Sequence, residues 1–508
     1  MQAPTKTLNP SADLFQKNWV QAFTHHLLVP GILLVIIIFI FPPRANFEFS
    51  ADEGLNLMKA MLYERGYPLY GEIWSDQPPL FTYLLASVIR VFGNNVEAAR
   101  FLVLGMACIL VWAAFQVMRL MWGTGAAIAG SFLIFLLPYF LILSVSVMIG
   151  LPAISLAMLS LLALLKWHAG RKPVWLALSA GLLALSVLIK LITGFLAPIF
   201  LAGILISQYP NFRREHRWRD LFGPAIMWGG VFAALAISLI LMLVGPQNLG
   251  QLITTHLLAE RVTSFRTEKW MTLGFHLRTI TPLFILTFAG VIYSIQSRRW
   301  LALYLAAWSA SAYVLLYFHR PVWEHQTLLV TIPAAMLAGP ALFEVARRLA
   351  RAIWPAGRLD GGSLVFLAAM VGTLALLFTF RPNESLQMIG LSPKTFGAEA
   401  EMPPNPARVY RRMERYAPQT HWVVTDMPMY AFRIGAPVPP NLAVFSAKRL
   451  ETGDLEQEDI LAAVREYRPE QIMFGRFRFP GIKEQLLQDY ELIYEDNDMQ
   501  LYIHKDIS

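Results

Sequence analysis

The sequence predicts a polytopic α-helical membrane protein of about 12 to 13 transmembrane helices. Interfacial helices are expected in its first outer loop, and a small α/β soluble domain at its C-terminal end. Three observations carry this reading. Of the 508 residues, 56% are hydrophobic and only 15% charged, with a mean hydropathy of +0.49, against roughly 25% charged in an average globular chain. Apolar runs follow one another from Leu27 to Phe380, and after Arg381 the composition turns to that of a soluble domain.

The first run, Leu27 to Phe41, reads as a retained anchor behind a cytoplasmic tail, residues 1–26. The tail is mostly polar and no small-residue cleavage site follows the run, so a signal peptide is not expected. Further apolar runs fall near 79–92, 97–120, 125–141, 144–167, 174–190, 191–207, 222–244, 276–296, 300–318, 326–349 and 363–380. Basic clusters at Lys166 to Lys172, Arg213 to Arg219, Arg298 with Arg299, and Arg347 to Arg358 are each two runs apart. All four therefore share one face, read as cytoplasmic by the positive-inside rule. The net charge of +8 then reports orientation and not nucleic-acid binding. Segments 245–275, 319–325 and everything after Phe380 fall on the opposite face. The first outer loop, 42–78, belongs there too, yet the runs between it and Lys166 are even in number where opposite faces require an odd one. An extra short crossing or re-entrant piece is expected within 125–167, which Pro138, Gly150 and Pro152 interrupt. The transmembrane domain is thus placed at 27–380, a proline-bearing linker at 381–407 and the extracytoplasmic domain at 408–508. In that last domain, helical periodicity at Ala407 to Tyr416, 456–467 and 482–488 alternates with strand-like runs at Trp422–Thr425, Gln471–Phe474, Glu491–Tyr494 and Gln500–His504.

The single cysteine, Cys108, lies in an apolar run and excludes a disulfide framework or thiolate metal site. No glycine-rich phosphate fingerprint follows a strand in the terminal domain, and the chain carries no internal repeat of the kind that duplicated transporters show. Chemistry-bearing residues gather instead in the outer segments. In FEFSADEGLNLMKAMLYERGYPLYGEIWSDQPPL, residues 47–80, Asp52 and Glu53 open an amphipathic helix. Its apolar positions Leu55, Met58, Met61 and Leu62 fit a helix lying along the bilayer interface. Ser50 and Glu53 match a capping box, with Glu53 bonding back to the Ser50 N–H. Adjacent helical residues point about 100° apart, so one carboxylate, Asp52, is taken as the base. Asp76 reads either as a turn former or as a group that positions Gln77 or an acceptor. Tyr67, Tyr70 and Trp74 read as sugar-stacking rings or as an interfacial belt. Further along lie His256, Arg261, Arg266 and Lys269, then His319, Arg320, Glu324 and His325, with Lys190 at an outer turn between two runs.

Asp-Glu in the first outer loop, G-Y-P-L-Y at 66–70, D-Q-P-P-L at 76–80, and Glu97 with Arg100 at the head of the third run resemble the protein O-mannosyltransferase and lipid A aminoarabinose transferase group of the C-type glycosyltransferase superfamily. The motif-level resemblance covers residues 30–120. It implies an inverting glycosyltransferase of the cell envelope, in the cell (inner) membrane, acting at the periplasmic or extracellular face. A polyprenyl-phosphate sugar would be the donor and a hydroxyl on a glycan, lipid or protein the acceptor. Asp52 would serve as base, with Glu53 beside it, and the donor phosphate or substrate would meet Gln77, Asp76, Lys190, His256, Arg261, Arg266, His319, Arg320 and His325. Several relatives carry a phosphate-binding lysine where this chain has Gln77, so the countercharge must come from elsewhere. No cofactor is required by this reading, no metal ligands are assigned, and a divalent ion is left open because branches of the superfamily differ. A transporter or flippase of lipid-linked saccharides is the competing class, and a catalytically inactive scaffold a third.

Overall fold

The computed structural model describes residues 21–44, 46–260, 262, 265, 268, 272–353, 404–479, 481–496 and 499–507. The run at 363–380 and most of the 381–407 linker lie outside them. The membrane body runs α1 (Leu28–Ile40), α2 (Ala51–Glu64), α3 (Leu80–Phe92), α4 (Val96–Trp122), α5 (Thr124–Phe135), a single turn α6 (Phe140–Leu143), α7 (Gly150–Gly170), α8 (Pro173–Ile189), α9 (Leu196–Glu215) and α10 (Trp218–Leu243). It continues with α11 (Leu249–Ala259), α12 (Leu273–Leu277), α13 (Thr281–Gln296), α14 (Leu303–Phe318) and α15 (Leu328–Ile353). Six stretches are long and apolar enough to cross a membrane: Val96–Trp122, Gly150–Gly170, Leu191–Pro210, Trp218–Leu243, Trp300–Phe318 and Glu324–Arg348. Five shorter apolar helices accompany them among the described residues.

Small residues let these helices approach closely. A Cβ at Gly290 of α13 would overlap the Leu337 carbonyl of α15, and one at Gly339 would lie 2.9 Å from Gly130 Cα of α5. The indole N–H of buried Trp228 in α10 donates to Ser179 Oγ of α8 at 3.1 Å, a satisfied polar contact where lipid offers no partner.

The helix α3 does not cross, although its sequence is that of a span. Both of its ends meet the C-terminal domain. At the leading end Asp76 pairs with Lys448 at 2.7 Å. Past the trailing end, Glu97 reaches Arg433 at 3.8 Å. Between them α3 packs along α2, with Arg90 on Glu64 at 3.0 Å and Tyr83 on Tyr63 at a ring distance of 4.8 Å. With α3 kept at one face, α4, α5 and α7 are three crossings between the first loop and Lys166, and the odd number is met. The interrupted stretch after α5 supplies no extra crossing; α6 and the irregular chain to Ile149 are buried in the body.

The α2 helix also departs from expectation. Every residue from Glu53 to Leu62 is buried, so it does not rest one face on lipid. The hairpin partner α3 covers one side and the C-terminal domain another. Gly54 makes the second contact possible, because a Cβ there would overlap the backbone nitrogen of Met429.

The C-terminal domain contains α16 (Pro404–Tyr416), β1 (Val423–Thr425), α17 (Pro428–Arg433), α18 (Ala447–Thr452), α19 (Gln457–Tyr467), β2 (Gln471–Phe474), α20 (Ile482–Leu486), β3 (Tyr490–Glu495) and β4 (Gln500–His504). Its four strands form one sheet in the order β1-β2-β4-β3, β1 parallel to β2 and the other pairs antiparallel. The strands are short and apolar, as the run lengths indicate, and Ile460 and Val464 of α19 pack on Ile472 and Tyr502. Beyond α17, Arg65 donates to the Gly435 carbonyl at 2.8 Å, Arg433 to the Phe47 carbonyl at 2.8 Å, and Thr255 to Asp454 at 2.8 Å.

Candidate active site

A cavity of about 740 Å³ lies where the first loop, the outer turns of the body and the C-terminal domain meet. Asp52, Asn56 and Lys59 reach it from α2; Asp76 and Gln77 from the turn before α3; Lys190 from the turn after α8; His256 from α11; His319, Arg320, Glu324 and His325 from the segment after α14; and Lys448 and Arg476 from the C-terminal domain. Aliphatic residues Ile142, Leu191, Ile192, Leu252, Ile253 and Leu257 also line it, and Ile253 and Leu257 are more than half exposed.

Ser50 caps α2, its hydroxyl accepting from the Asp52 N–H at 3.4 Å. This leaves the Asp52 carboxylate directed at the cavity. Burial pushes that carboxyl above its ordinary value, and the charges of Arg476, Lys190 and Lys59 pull it partly back. Glu53 is different and corrects the pairing expected of it. Its oxygens accept from Arg100 Nη2 at 2.7 Å and Nε at 3.1 Å, from the Phe49 N–H at 2.7 Å and from the Val147 N–H at 2.8 Å. It therefore bonds Phe49 and not Ser50, has no lone pair to spare, and does not line the cavity. Arg100 also donates to the carbonyls of Pro43 and Asn46 at 2.6 and 2.8 Å. The guanidinium lies over the Phe49 ring, 4.5 Å from its centroid. Glu53 and Arg100 thus fix the loop from which Asp52 projects.

Asp76 sits in a three-part bridge. Lys448 Nζ is 2.7 Å from Asp76 Oδ2 and 2.8 Å from His256 Nδ1, while His256 Nε2 donates to the Asp76 carbonyl at 3.2 Å. An ammonium can only donate, so Nδ1 accepts and the proton of the neutral ring sits on Nε2. Burial alone would raise the Asp76 carboxyl, but Lys448 outweighs it and holds the group well below the usual carboxylate range. Burial lowers His256.

The remaining sequence candidates divide cleanly. His325 and Lys190 face one another across Gly150, where a Cβ would lie 3.8 Å from His325 Cδ2 and 3.9 Å from Lys190 Nζ. His319 Nδ1 is 3.2 Å from Glu260, and Arg320 bonds the Tyr317 and His319 carbonyls at 3.1 and 2.8 Å. Arg261 and Arg266 lie outside the described residues. None of the three expected sugar-stacking rings lines the cavity. Tyr70 is buried, donating to the Gln77 carbonyl at 2.7 Å; Tyr67 packs on Trp422 of the C-terminal domain; Trp74 lies under the Arg449 guanidinium. The rings that do line it are Phe49, Tyr139 and Trp323. Among the described residues, no three His, Cys, Asp or Glu side chains form a metal-holding group.

Three cavity cations were not singled out from sequence. Lys59 sits seven residues beyond Asp52, a helical spacing that places both on one side. Lys448 and Arg476 carry no local signal, being 396 and 424 residues away from Asp52. Arg476 is presented by a clasp: buried Asp426, after β1, accepts from the N–H groups of Gly475, Arg476 and Phe477 at 2.9, 2.8 and 2.6 Å.

A body of many apolar helices, six of them long enough to cross a membrane, with a small α/β domain closing a carboxylate-bearing cavity, is the layout of a multi-pass membrane protein with an enclosed polar site. Comparison with known proteins narrows the class. Residues 76–242 match the family described as dolichyl-phosphate-mannose-protein mannosyltransferase. ArnT from Cupriavidus metallidurans bound to undecaprenyl phosphate has a similar structure, with a TM-score of 0.62 at 15% identity, over 96% of this chain and 98% of that one. The apo state gives 0.61 at 13% identity over the same shares. The apo oligosaccharyltransferase of Archaeoglobus fulgidus gives 0.53 at 14% identity, over 90% of this chain and 70% of that one. A search of the curated proteins finds no match. Over residues 76–242 the chain is therefore similar to that mannosyltransferase family, and its fold is similar to that of ArnT and the archaeal oligosaccharyltransferase.

Proposed function

We propose that this chain transfers a sugar from a polyprenyl-phosphate donor to a hydroxyl acceptor, with inversion, at the membrane face bearing the C-terminal domain. The observation that carries the reading is the placement of Asp52: a carboxylate in a cavity lined by aliphatic residues and by several cations. The exposed Ile253 and Leu257 suit a ligand whose tail stays in the bilayer. The undecaprenyl phosphate bound by the ArnT relative is a ligand of that kind.

In the reaction the acceptor oxygen attacks C1 of the sugar from the side opposite the phosphate. The C1–O bond breaks, the hydroxyl proton passes to Asp52, and polyprenyl phosphate departs. A base at the attacking oxygen contributes typically 10²- to 10⁴-fold. Cations on the leaving oxygen act in a site with little water, where they are most effective; Lys190 and Arg320 are assigned this role, and Gln77 and His325 donate hydrogen bonds. Asp76, ionised and bridged to Lys448, holds the domain onto the site. Four basic clusters on the opposite face support a periplasmic or extracellular site in the cell membrane.

Protein in lipid nanodiscs, incubated with a panel of undecaprenyl-phosphate sugars and candidate acceptors, tests this by mass detection of released undecaprenyl phosphate. Asp52→Asn is expected to lower release at least about 100-fold. An unchanged rate would remove Asp52 from the mechanism.

A further inference from the structure

Lys59 lines the cavity at 4% exposure, and among the described residues its ammonium has neither a hydrogen-bond nor an ion-pair partner. A lysine taken out of water in this way ordinarily has a partner, because the charge loses its hydration. The two carboxylates that act on it are Asp76 and Asp52, and neither is committed to it. Asp76 is paired with Lys448 at 2.7 Å, and Asp52 stays unpaired as the base. Lys59 is therefore left inside the cavity without a carboxylate committed to it. Lys59 lies two turns along the helix from Asp52, about 20° from the same line. Side chains lean toward a helix N-terminus, so the ammonium is carried back toward the Asp52 end, where Asp76 and the neutral Gln77 close the wall.

We propose that Lys59 is an anion-binding residue that, with Gln77, takes the phosphate of the polyprenyl-phosphate substrate. This rests on the reading of the site given above. The donor is a phosphodiester with one negative charge. When C1–O breaks, both bonding electrons stay on the phosphate oxygen, the acceptor proton goes to Asp52, and the product monoester approaches two charges. Three N–H donors on a desolvated ammonium gain most from that change, so Lys59 favours the product-like state over the donor.

The test uses the full chain in nanodiscs, titrated with undecaprenyl phosphate and, separately, with uncharged undecaprenol, followed by tryptophan fluorescence. Lys59→Met, similar in length and uncharged, is expected to weaken undecaprenyl phosphate binding about 10- to 100-fold while leaving undecaprenol within about twofold. Lys59→Arg restores most of the loss, and Lys59→Gln is the second charge-free variant should the methionine chain fail to fold. Unchanged undecaprenyl phosphate binding in the charge-free variants overturns the assignment, as does an equal loss for both ligands, which marks a collapsed cavity. A wild-type chain that does not prefer undecaprenyl phosphate to undecaprenol overturns the donor reading and this assignment together. A wild-type preference that survives loss of the charge overturns Lys59 alone.

Discussion

The Glu53–Arg100 pair lends itself to a double-mutant cycle. Both side chains are fully buried, with Nη2 to Oε2 at 2.7 Å, and Arg100 additionally holds the Pro43, Asn46 and Phe47 carbonyls. Removing one member of such a pair strands the other charge away from water, a loss of about 3 to 5 kcal/mol. Arg100→Met should lie at the upper end, because three carbonyls lose a donor as well. Glu53→Gln should cost less, since its amide still accepts from one backbone N–H. The double variant should be more stable than the sum of the two singles predicts, by at least about 1 to 3 kcal/mol, as neither charge is then left alone. Unfolding of the purified variants in graded denaturing detergent, followed by tryptophan fluorescence, measures all four corners. Additive singles, or an Arg100→Met chain as stable as wild type, would refute the claim that this pair anchors the loop bearing Asp52.

Two further outcomes follow from the domain contacts. Gly54→Ala places a methyl group against the Met429 backbone and should lower stability by about 1 to 3 kcal/mol; a wild-type unfolding midpoint would show that α2 and α17 separate freely. Lys448→Met should destabilise the chain more at pH 7 than at pH 5. In the wild type the folded Asp76 value is depressed, so its contribution is full above the unfolded carboxylate range and is lost progressively as pH falls from there to the depressed value. Without Lys448, burial raises the group, and the folded state then pays for an ionised carboxylate until acid neutralises it. Midpoints at the two pH values check this, and a gap that does not narrow refutes it.

Hydropathy made the membrane body and the terminal α/β domain legible, because spans and short apolar strands are local patterns. It failed at α3, whose composition is that of a span. What keeps α3 at one face is contact of Asp76 and Glu97 with a domain more than 300 residues away, which no window can register. The amphipathic pattern of α2 was visible, but a protein surface took the place assigned to lipid. At the site, Asp52, Asp76, Gln77, Lys190 and the histidines could be singled out, since charges in outer segments stand out against an apolar chain. Lys59 was hidden within a helical pattern that reads it as a solvated face, and Lys448 and Arg476 look like ordinary surface residues of a soluble domain. Glu53 carried the opposite problem: its local spacing offers a cap, while Arg100 and two backbone N–H groups of the folded chain occupy it.

The cavity wall is built partly from the first eighty residues and partly from residues beyond 440. A polypeptide still emerging from the ribosome can have inserted most of its helices and yet lack the cations at 448 and 476. Under the proposed reaction, competence arrives only with that late portion of the chain, and a product truncated before residue 448 is expected to be inert even when its helices are correctly inserted.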